Sequence, residues 1–447
     1  MAIGFLRSYF RIPLLIRIAV GFLTGTLLSI GFWIGAAWQG ISLSGFIITW
    51  IMPFGAVLIS MLKMIVIPVV FCSVVTGAAS LSVRQFGGIG GKVLLWYLLT
   101  SFFAAILGTG LALVVNPGSL TSITGWQDLI RGMAVQPTPP MITPQMSRSL
   151  TDLLLGMFQN PFEALANNNF LGIIVFAILF GLGLRLLQED SRTSELQPYL
   201  QNLSNLFVAG REVIFKIVEW ILEYSPVGVF ALAVTNFGLY GKSIVGPYVS
   251  VTLGIIGGIL GMIAVVYPLL LSLITQQNPY HILKRMQEAI MTAFITRSSA
   301  ATLPVSLRTM QEQLNVRVDL TSFALPLGAT INMDGVCVHL PMFAVLAANL
   351  FGVQLTATSL IILVITTVLA SIGAGGVPGG SLMLLFIILE AIRLDSGQVA
   401  VIVALATGIN PILDMFETAN NVTGDMVCTY VVAYSEGMFE KDSIVIE

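Results

Sequence analysis

The chain is 447 residues long, carries a formal net charge of −2, and is 56% hydrophobic with 9% charged residues, whereas a water-soluble chain carries roughly 25% charged residues. That excludes an ordinary soluble domain, and the near-neutral charge argues against a nucleic-acid partner. Cys72, Cys337 and Cys428 lie scattered in apolar sequence without metal-ligand or disulfide spacing and are read as buried free thiols.

At the N-terminus Arg7, Arg11 and Arg17 precede an apolar run from Ile18 to Trp38. The pattern mimics a signal peptide, but the run is long and shows no clear small-residue cleavage site. It is read as a first transmembrane helix with a cytoplasmic N-terminus. Further spans are expected at about 45–77, 88–115, 165–188, 205–236 and 244–275, after a first at 13–37. Stretches 93–127, 243–283 and 335–389 contain no charged residue at all. Arg84 and Lys92, then Arg185 and Arg192, then Lys284 and Arg285 fall on the side of the N-terminal arginines if each segment crosses. The segment 116–162, rich in Pro, Ser, Thr and Met, is read as an extracellular loop with short interfacial helices. The charge run from Glu189 to Glu195 is read as a solvated cytoplasmic loop, and His281 as a solvated residue near Lys284.

Four apolar stretches follow, at about 283–311, 320–351, 357–392 and 398–434. Two of them are broken in the middle. Residues 296–304 read Thr-Arg-Ser-Ser-Ala-Ala-Thr-Leu-Pro, and 371–381 read Ser-Ile-Gly-Ala-Gly-Gly-Val-Pro-Gly-Gly-Ser. Small residues and proline interrupt a helix there, so each stretch is expected to form two short helices meeting at a tip. Each is followed by an apolar helix with a polar centre. The first reads Gly328-Ala329-Thr330-Ile331-Asn332-Met333-Asp334-Gly335; the second runs from Asp414 to Asp425. His339, little more than a turn past Asp334, is read as a packing residue, with a proton relay as the alternative. Paired broken segments in two halves of a chain point to a transporter binding site.

Asp414, Glu417, Asn421 and Asp425 are spaced i, i+3, i+7 and i+11, which puts them on one helix face. The eighteen preceding residues, Ser396 to Leu413, are uncharged. A carboxylate at membrane depth costs at least about 2.5–3.5 kcal/mol, so this face is read as built to hold cations.

The strings 296–304 and 328–335, the Gly-Val-Pro-Gly around Val377, and Asn421-Val422-Thr423-Gly424-Asp425 together resemble the dicarboxylate/amino acid:cation symporters, the bacterial and archaeal relatives of glutamate transporters. The resemblance covers nearly the whole chain. It implies an all-α integral membrane protein of eight transmembrane helices plus two re-entrant helical hairpins, with inverted repeats and elevator-type movement. It implies a homotrimer in the cell (inner) membrane, with both termini cytoplasmic. Residues 1–87 and 116–242 would form the scaffold and trimerisation helices. Residues 88–115 and 243–436 would form the transport domain, and 437–447 a cytoplasmic tail.

By the same resemblance, Asp414 would bind a substrate α-ammonium, while Asn421 with Ser298 and Ser299 would hold its α-carboxylate. Val336, Val377, Gly380, Glu417 and Thr418 would complete the substrate site. Gly328, Asn332, Asn421 and Asp425 resemble one sodium site. Tyr97, Thr100, Ser101, Asn332 and Asp334 resemble a second, and the carbonyls of Thr330, Ser371, Ile372 and Ala374 a third. These are hard oxygen donors. Sodium is thus the expected coupling ion, with the proton as alternative, and no covalent cofactor is expected.

The chain departs from the acidic-substrate pattern at two positions. Glu417 stands where those carriers place an arginine, and Val336 where they place a threonine. A carboxylate there repels an acidic side chain. The expectation is a basic amino acid paired with Glu417; the alternative is a neutral amino acid, or a dicarboxylate or glutamate, with Glu417 either paired to Arg297 or protonated. Asp334, Asp414, Glu417 and Asp425 outnumber Arg297 four to one, which favours cation coupling. An intramembrane hydrolase lacks any nucleophile-elbow spacing; no enzyme is expected. A passive channel has less need of buried acids beside helix breaks.

Overall fold

The computed structural model describes residues 12–39, 44–80, 83–119, 155, 157–167, 169–240, 245–374, 376 and 378–440. Among these, regular structure is helical, apart from a single antiparallel bridge between Val316 and Phe439. Among the described residues, eight helical stretches are long and apolar enough to cross a membrane. In chain order these begin with α1 (Leu14–Gln39), α2 (Met52–Ala79, entered through a π turn at Ile47–Ile51), α3 (Val83–Val115) and α4 (Phe170–Glu189). Then come α5 (Gln197–Tyr240) and α6 (Val245–Thr275), the latter containing a π turn at Met262–Val266.

The last third alternates hairpins and long helices, as its sequence predicts. α7 (Pro279–Thr296) and α8 (Ser299–Arg308) pack against each other across a break at Arg297 and Ser298. Asn278 caps α7 through its side chain, with Pro279 at the first helical position, where its missing N–H costs nothing. Arg297 ends α7 in a left-handed conformation (φ 56°), and Ser298 turns extended and caps α8. α9 (Val318–Ile331) and α10 (Asp334–Phe351) form one interrupted helix. Asn332 and Met333 leave helical geometry between them, within the polar stretch expected to break. α11 (Ala357–Ser371) and α12 (Gly380–Ala391) make the second hairpin. The last helix, α13, runs unbroken over Ser396–Glu436, opened by a capping box of Asp395 with Gln398.

Burial sorts the elements. In α9–α10 89% of the most apolar window is buried and in α13 67%, against 22% in α1. α13 is therefore the axis of the molecule: α3, α6, α7, α9, α10 and α12 all pack on it. α1 and α2 pack on α5, and α4 on α2. Gly21 lets α1 approach α5 closely; a Cβ there would lie 2.5 Å from the Pro226 carbonyl oxygen. Arg17 adds a two-pronged ion pair to Glu223 of α5, at 2.6 and 3.0 Å.

Some boundaries differ from expectation. α5 starts at Gln197 rather than near 205, because its first two turns carry the polar residues Gln197, Gln201, Asn202 and Ser204, which a hydropathy reading passes over. The run 189–195 is not an open loop: Ser191–Leu196 forms a 3-10 turn, with the Asp190 side chain accepting from the Arg192 amide. Of the segment 116–162, residues 120–154 and 156 lie outside the described residues; Asn160 caps a short helix, Pro161–Ala166. Arg7, Arg11 and 441–447 also lie outside them.

Candidate functional site

The break in α7–α8 and the tip of α11–α12 meet. Ser298 Oγ donates to the Gly376 carbonyl at 3.0 Å and accepts from the Ala301 amide at 3.2 Å. Gly376 (φ +64°) rests on the Ala329 carbonyl of α9, with no room for a Cβ. Beside this junction Asp414 of α13 accepts from the Gly379 amide at 3.1 Å and faces the Arg297 guanidinium at 3.9 Å. A cavity lined by Leu222 and Ser225 of α5 and by Thr407 and Asn410 of α13 reaches Arg297 and Asp414.

One turn along α13, Glu417 is 1% exposed and paired with His339 Nδ1 of α10, which is 0% exposed. The imidazole also lies tilted over Phe343, ring centroids 4.9 Å apart. The partner is thus neither Arg297 nor solvent. Arg297 is drawn to Asp414, and His339 is the counter-group to Glu417, not merely a packing residue. A buried carboxylate without such a partner costs several kcal/mol.

Further along the same face, Asn421 Oδ1 accepts from the Gly335 amide at 2.7 Å, while its amide nitrogen donates to the Met333 sulfur at 3.3 Å. α10 begins hard against α13 here. A Cβ on Gly335 would lie 2.6 Å from the Glu417 carbonyl oxygen.

Deeper still, oxygen atoms from four elements converge. Asn332 Nδ2 donates to Asp425 Oδ1 at 2.9 Å. Its Oδ1 accepts from Thr100 and Ser101 at 3.2 and 3.3 Å. Asp334 accepts from Ser101 at 2.7 Å and from the Tyr267 hydroxyl at 2.8 Å. Tyr97 donates to the Ala324 carbonyl at 2.9 Å and lies 3.4 Å from the Thr429 hydroxyl. Gly328 and Gly424 make this approach possible; a Cβ on Gly424 would lie 2.7 Å from the Tyr267 hydroxyl and 2.9 Å from Asp334 Oδ2.

The structure therefore brings together Tyr97, Thr100, Ser101, Gly328, Asn332, Asp334 and Asp425, and separately Ser298, Asp414, Glu417 and Asn421. Ser299, Val336, Thr418 and Gly380 are buried nearby on α8, α10, α13 and α12. The third oxygen set is less gathered: the Thr330 hydroxyl turns back to the Leu327 carbonyl, and the Ser371 carbonyl accepts from the Ala374 amide within its own turn. Ile372 follows Ser371 in that turn, and Val377 lies outside the described residues. Sequence reasoning missed Tyr267 and the partnership of His339. The signal for the second was available, since a buried Glu417 needs a counter-group and His339 is the one histidine within the apolar stretch 335–389.

Residues 14–435 match the sodium:dicarboxylate symporter family. The chain belongs to that family. The symporter is 32% identical over 413 residues to "Neutral amino acid transporter B(0)" of Mus musculus, covering 83% of this chain and 72% of the relative. It is 31% identical to "Neutral amino acid transporter A" of Homo sapiens (94% and 81%). It is 30% identical to "Serine/threonine transporter SstT" of Bifidobacterium adolescentis (92% and 87%). The symporter is thus an amino acid transporter and a multi-pass membrane protein of the elevator type, and not an enzyme.

Proposed function

We propose that this protein is a sodium-coupled symporter of neutral amino acids. The observation that carries this reading is the pairing of Glu417 with His339. The expectation of a basic substrate rested on a Glu417 without a protein partner. With the imidazole bonded to that carboxylate, and Arg297 facing Asp414, Glu417 is already engaged by the protein rather than left to clamp a cationic side chain. A zwitterion with an uncharged side chain suits such a site, and the names of the relatives agree.

In this reading Asp414 holds the substrate ammonium, exchanging its bond from Gly379 for one from the ligand. Ser298, Ser299 and Asn421 hold the carboxylate; the Asn421 amide nitrogen gives up a weak sulfur acceptor for a strong oxygen one. The half-helix start of α8 adds partial positive charge. Val336, Gly380 and Thr418 bound the side chain, and Val377, expected beside them from the sequence, lies outside the described residues. Sodium ions enter at the Asn332–Asp425 and Asp334–Ser101 oxygens, with a third site at Thr330, Ser371, Ile372 and Ala374 as the second tip closes. Hard oxygen donors fit that ion. Residues 88–115 and 243–436 move against 1–87 and 116–242, within a homotrimer of the cell membrane whose termini are cytoplasmic.

The test is uptake into liposomes under an imposed sodium gradient. Labelled serine, threonine or alanine accumulates against its own gradient, while aspartate and lysine do not at neutral pH. Uptake that ignores the sodium gradient but follows a proton gradient overturns the coupling ion. Preferential uptake of aspartate or lysine overturns the substrate class.

A further inference from the structure

The groups assigned to the substrate backbone are each bonded to a part of the protein with matching chemistry. The Ser298 hydroxyl, which would donate to a carboxylate, donates to the Gly376 carbonyl at 3.0 Å. Asp414, which would accept from an ammonium, accepts from the Gly379 amide at 3.1 Å and has the Arg297 guanidinium 3.9 Å away. The Asn421 amide nitrogen rests on the Met333 sulfur at 3.3 Å. Two of these partners, Gly376 and Gly379, stand three positions apart in the second tip. One offers a carbonyl oxygen and the other an N–H. That is the pair of polarities that a zwitterion presents at its two ends.

The tip is seated closely. Gly376 has φ +64°, and a Cβ on it would lie 2.4 Å from the Ala329 carbonyl oxygen, so both its conformation and its contact require glycine. Around it Ser299, Val336, Thr418 and Asn421 are each no more than 5% exposed. The cavity that reaches Asp414 is lined by Pro378, Gly379, Thr407 and Asn410, with α1 and α5, rather than by Val336 or Thr418. An enclosed carboxylate or hydroxyl without a partner is costly. A carrier whose enclosed groups are satisfied by substrate alone closes only when loaded, and so exchanges one substrate for another. Here the tip supplies both bonds itself.

We propose that the second tip is a built-in substitute for the substrate backbone, with the Gly376 carbonyl in the role of the carboxylate and the Gly379 amide in that of the ammonium. The symporter therefore closes and crosses unloaded, and it carries out net uptake rather than exchange alone. The inference rests on the neutral-substrate site described above and adds to it the mode of transport. It has a second consequence. Tip and substrate compete for the same bonds, so the apparent affinity for substrate is lowered by the fraction of protein in which the tip is seated.

The experiment follows labelled serine into liposomes under a sodium gradient, with either no amino acid or unlabelled serine inside. The unmodified protein takes up serine at comparable rates in both. Gly376→Ala keeps the tip off the Ala329 carbonyl, whereas a substrate that holds Ser298 itself lets the tip ride higher. In this variant uptake into liposomes without internal serine falls about tenfold or more, while exchange persists. Serine binding to the variant in detergent tightens by about the same factor. Uptake by the unmodified protein only when serine is inside overturns the inference, as does a Gly376→Ala protein with an unaltered ratio of the two modes. If the variant fails to fold, both of its modes vanish together, and the comparison in the unmodified protein decides. Failure of both modes in the unmodified protein overturns the substrate reading and the inference with it; exchange without net uptake overturns the inference alone.

Discussion

The hydroxyl of Ser298 is bonded to both hairpins at once, accepting from Ala301 of its own helix and donating to the Gly376 carbonyl of the opposing tip. One side chain thus starts α8 and fastens the second tip. Ser298→Ala removes a helix cap and the tip-to-tip bond together, each worth about 1 kcal/mol. Serine affinity is expected to fall about tenfold or more in an equilibrium binding titration, with Ser298→Thr recovering part of it. Unchanged affinity would separate the tips from the substrate site.

Tyr267→Phe tests the oxygen cluster. The change leaves Asp334 Oδ2 without its 2.8 Å donor while preserving the ring. A missing bond to a buried carboxylate costs about 1–3 kcal/mol, roughly a tenfold or greater shift in an equilibrium. The half-saturating sodium concentration for uptake is expected to shift by that factor, with the substrate preference unaltered. A shift in substrate preference without one in sodium dependence would contradict the assignment.

Gly424→Ala is a sharper probe of the same region. The added methyl would sit 2.7 Å from the Tyr267 hydroxyl and 2.9 Å from Asp334 Oδ2, and overpacking a close-packed interior costs about 1–3 kcal/mol. Sodium-driven uptake is expected to be lost while the folded protein persists, as judged by thermal unfolding in detergent. Retention of normal sodium dependence would show that these helices have slack at that point.

Stability should be asymmetric across the His339–Glu417 pair. His339→Leu leaves a buried carboxylate uncompensated, at a cost of about 3–5 kcal/mol, whereas replacing both partners with apolar residues is often neutral or better. The double variant His339→Leu/Glu417→Leu is therefore expected to melt higher than His339→Leu alone. Equal melting temperatures would show that Glu417 does not depend on the imidazole.

Much of this was open to reading in the chain itself. Uncharged runs longer than a span, and a polar interruption at 328–335 inside an apolar helix, announce themselves locally, and the break at Asn332 and Met333 fell where that interruption lay. The spacing of Asp414, Glu417, Asn421 and Asp425 fixed one face of α13, and that face looks inward. What escaped were relations across distance. His339 and Glu417 are 78 positions apart, and Tyr267 reaches Asp334 across 67. Nothing in the periodicity of α10 says which of its neighbours will face residue 339. Glu417 was visible as an acid in need of a counter-charge, but Arg297 competed for that role on composition alone. Only packing shows that the guanidinium goes to Asp414. The start of α5 was missed for a different reason: hydropathy marks where a helix is apolar, not where it begins.

The π turn at Met262–Val266 immediately precedes Tyr267. Such a turn takes in one more residue than an ordinary helical turn, and a residue is worth about 100° of rotation. Upstream of it, α6 keeps one phase against its neighbours; downstream, every side chain is offset from that phase. Deleting a single residue there would return the stretch to an ordinary helix with the phenol still beside Asp334, whereas a deletion within the regular helix on either side would turn it away. The widened loop of backbone is in effect a fixed spanner setting, clocking the second half of the helix to the ion-binding oxygens.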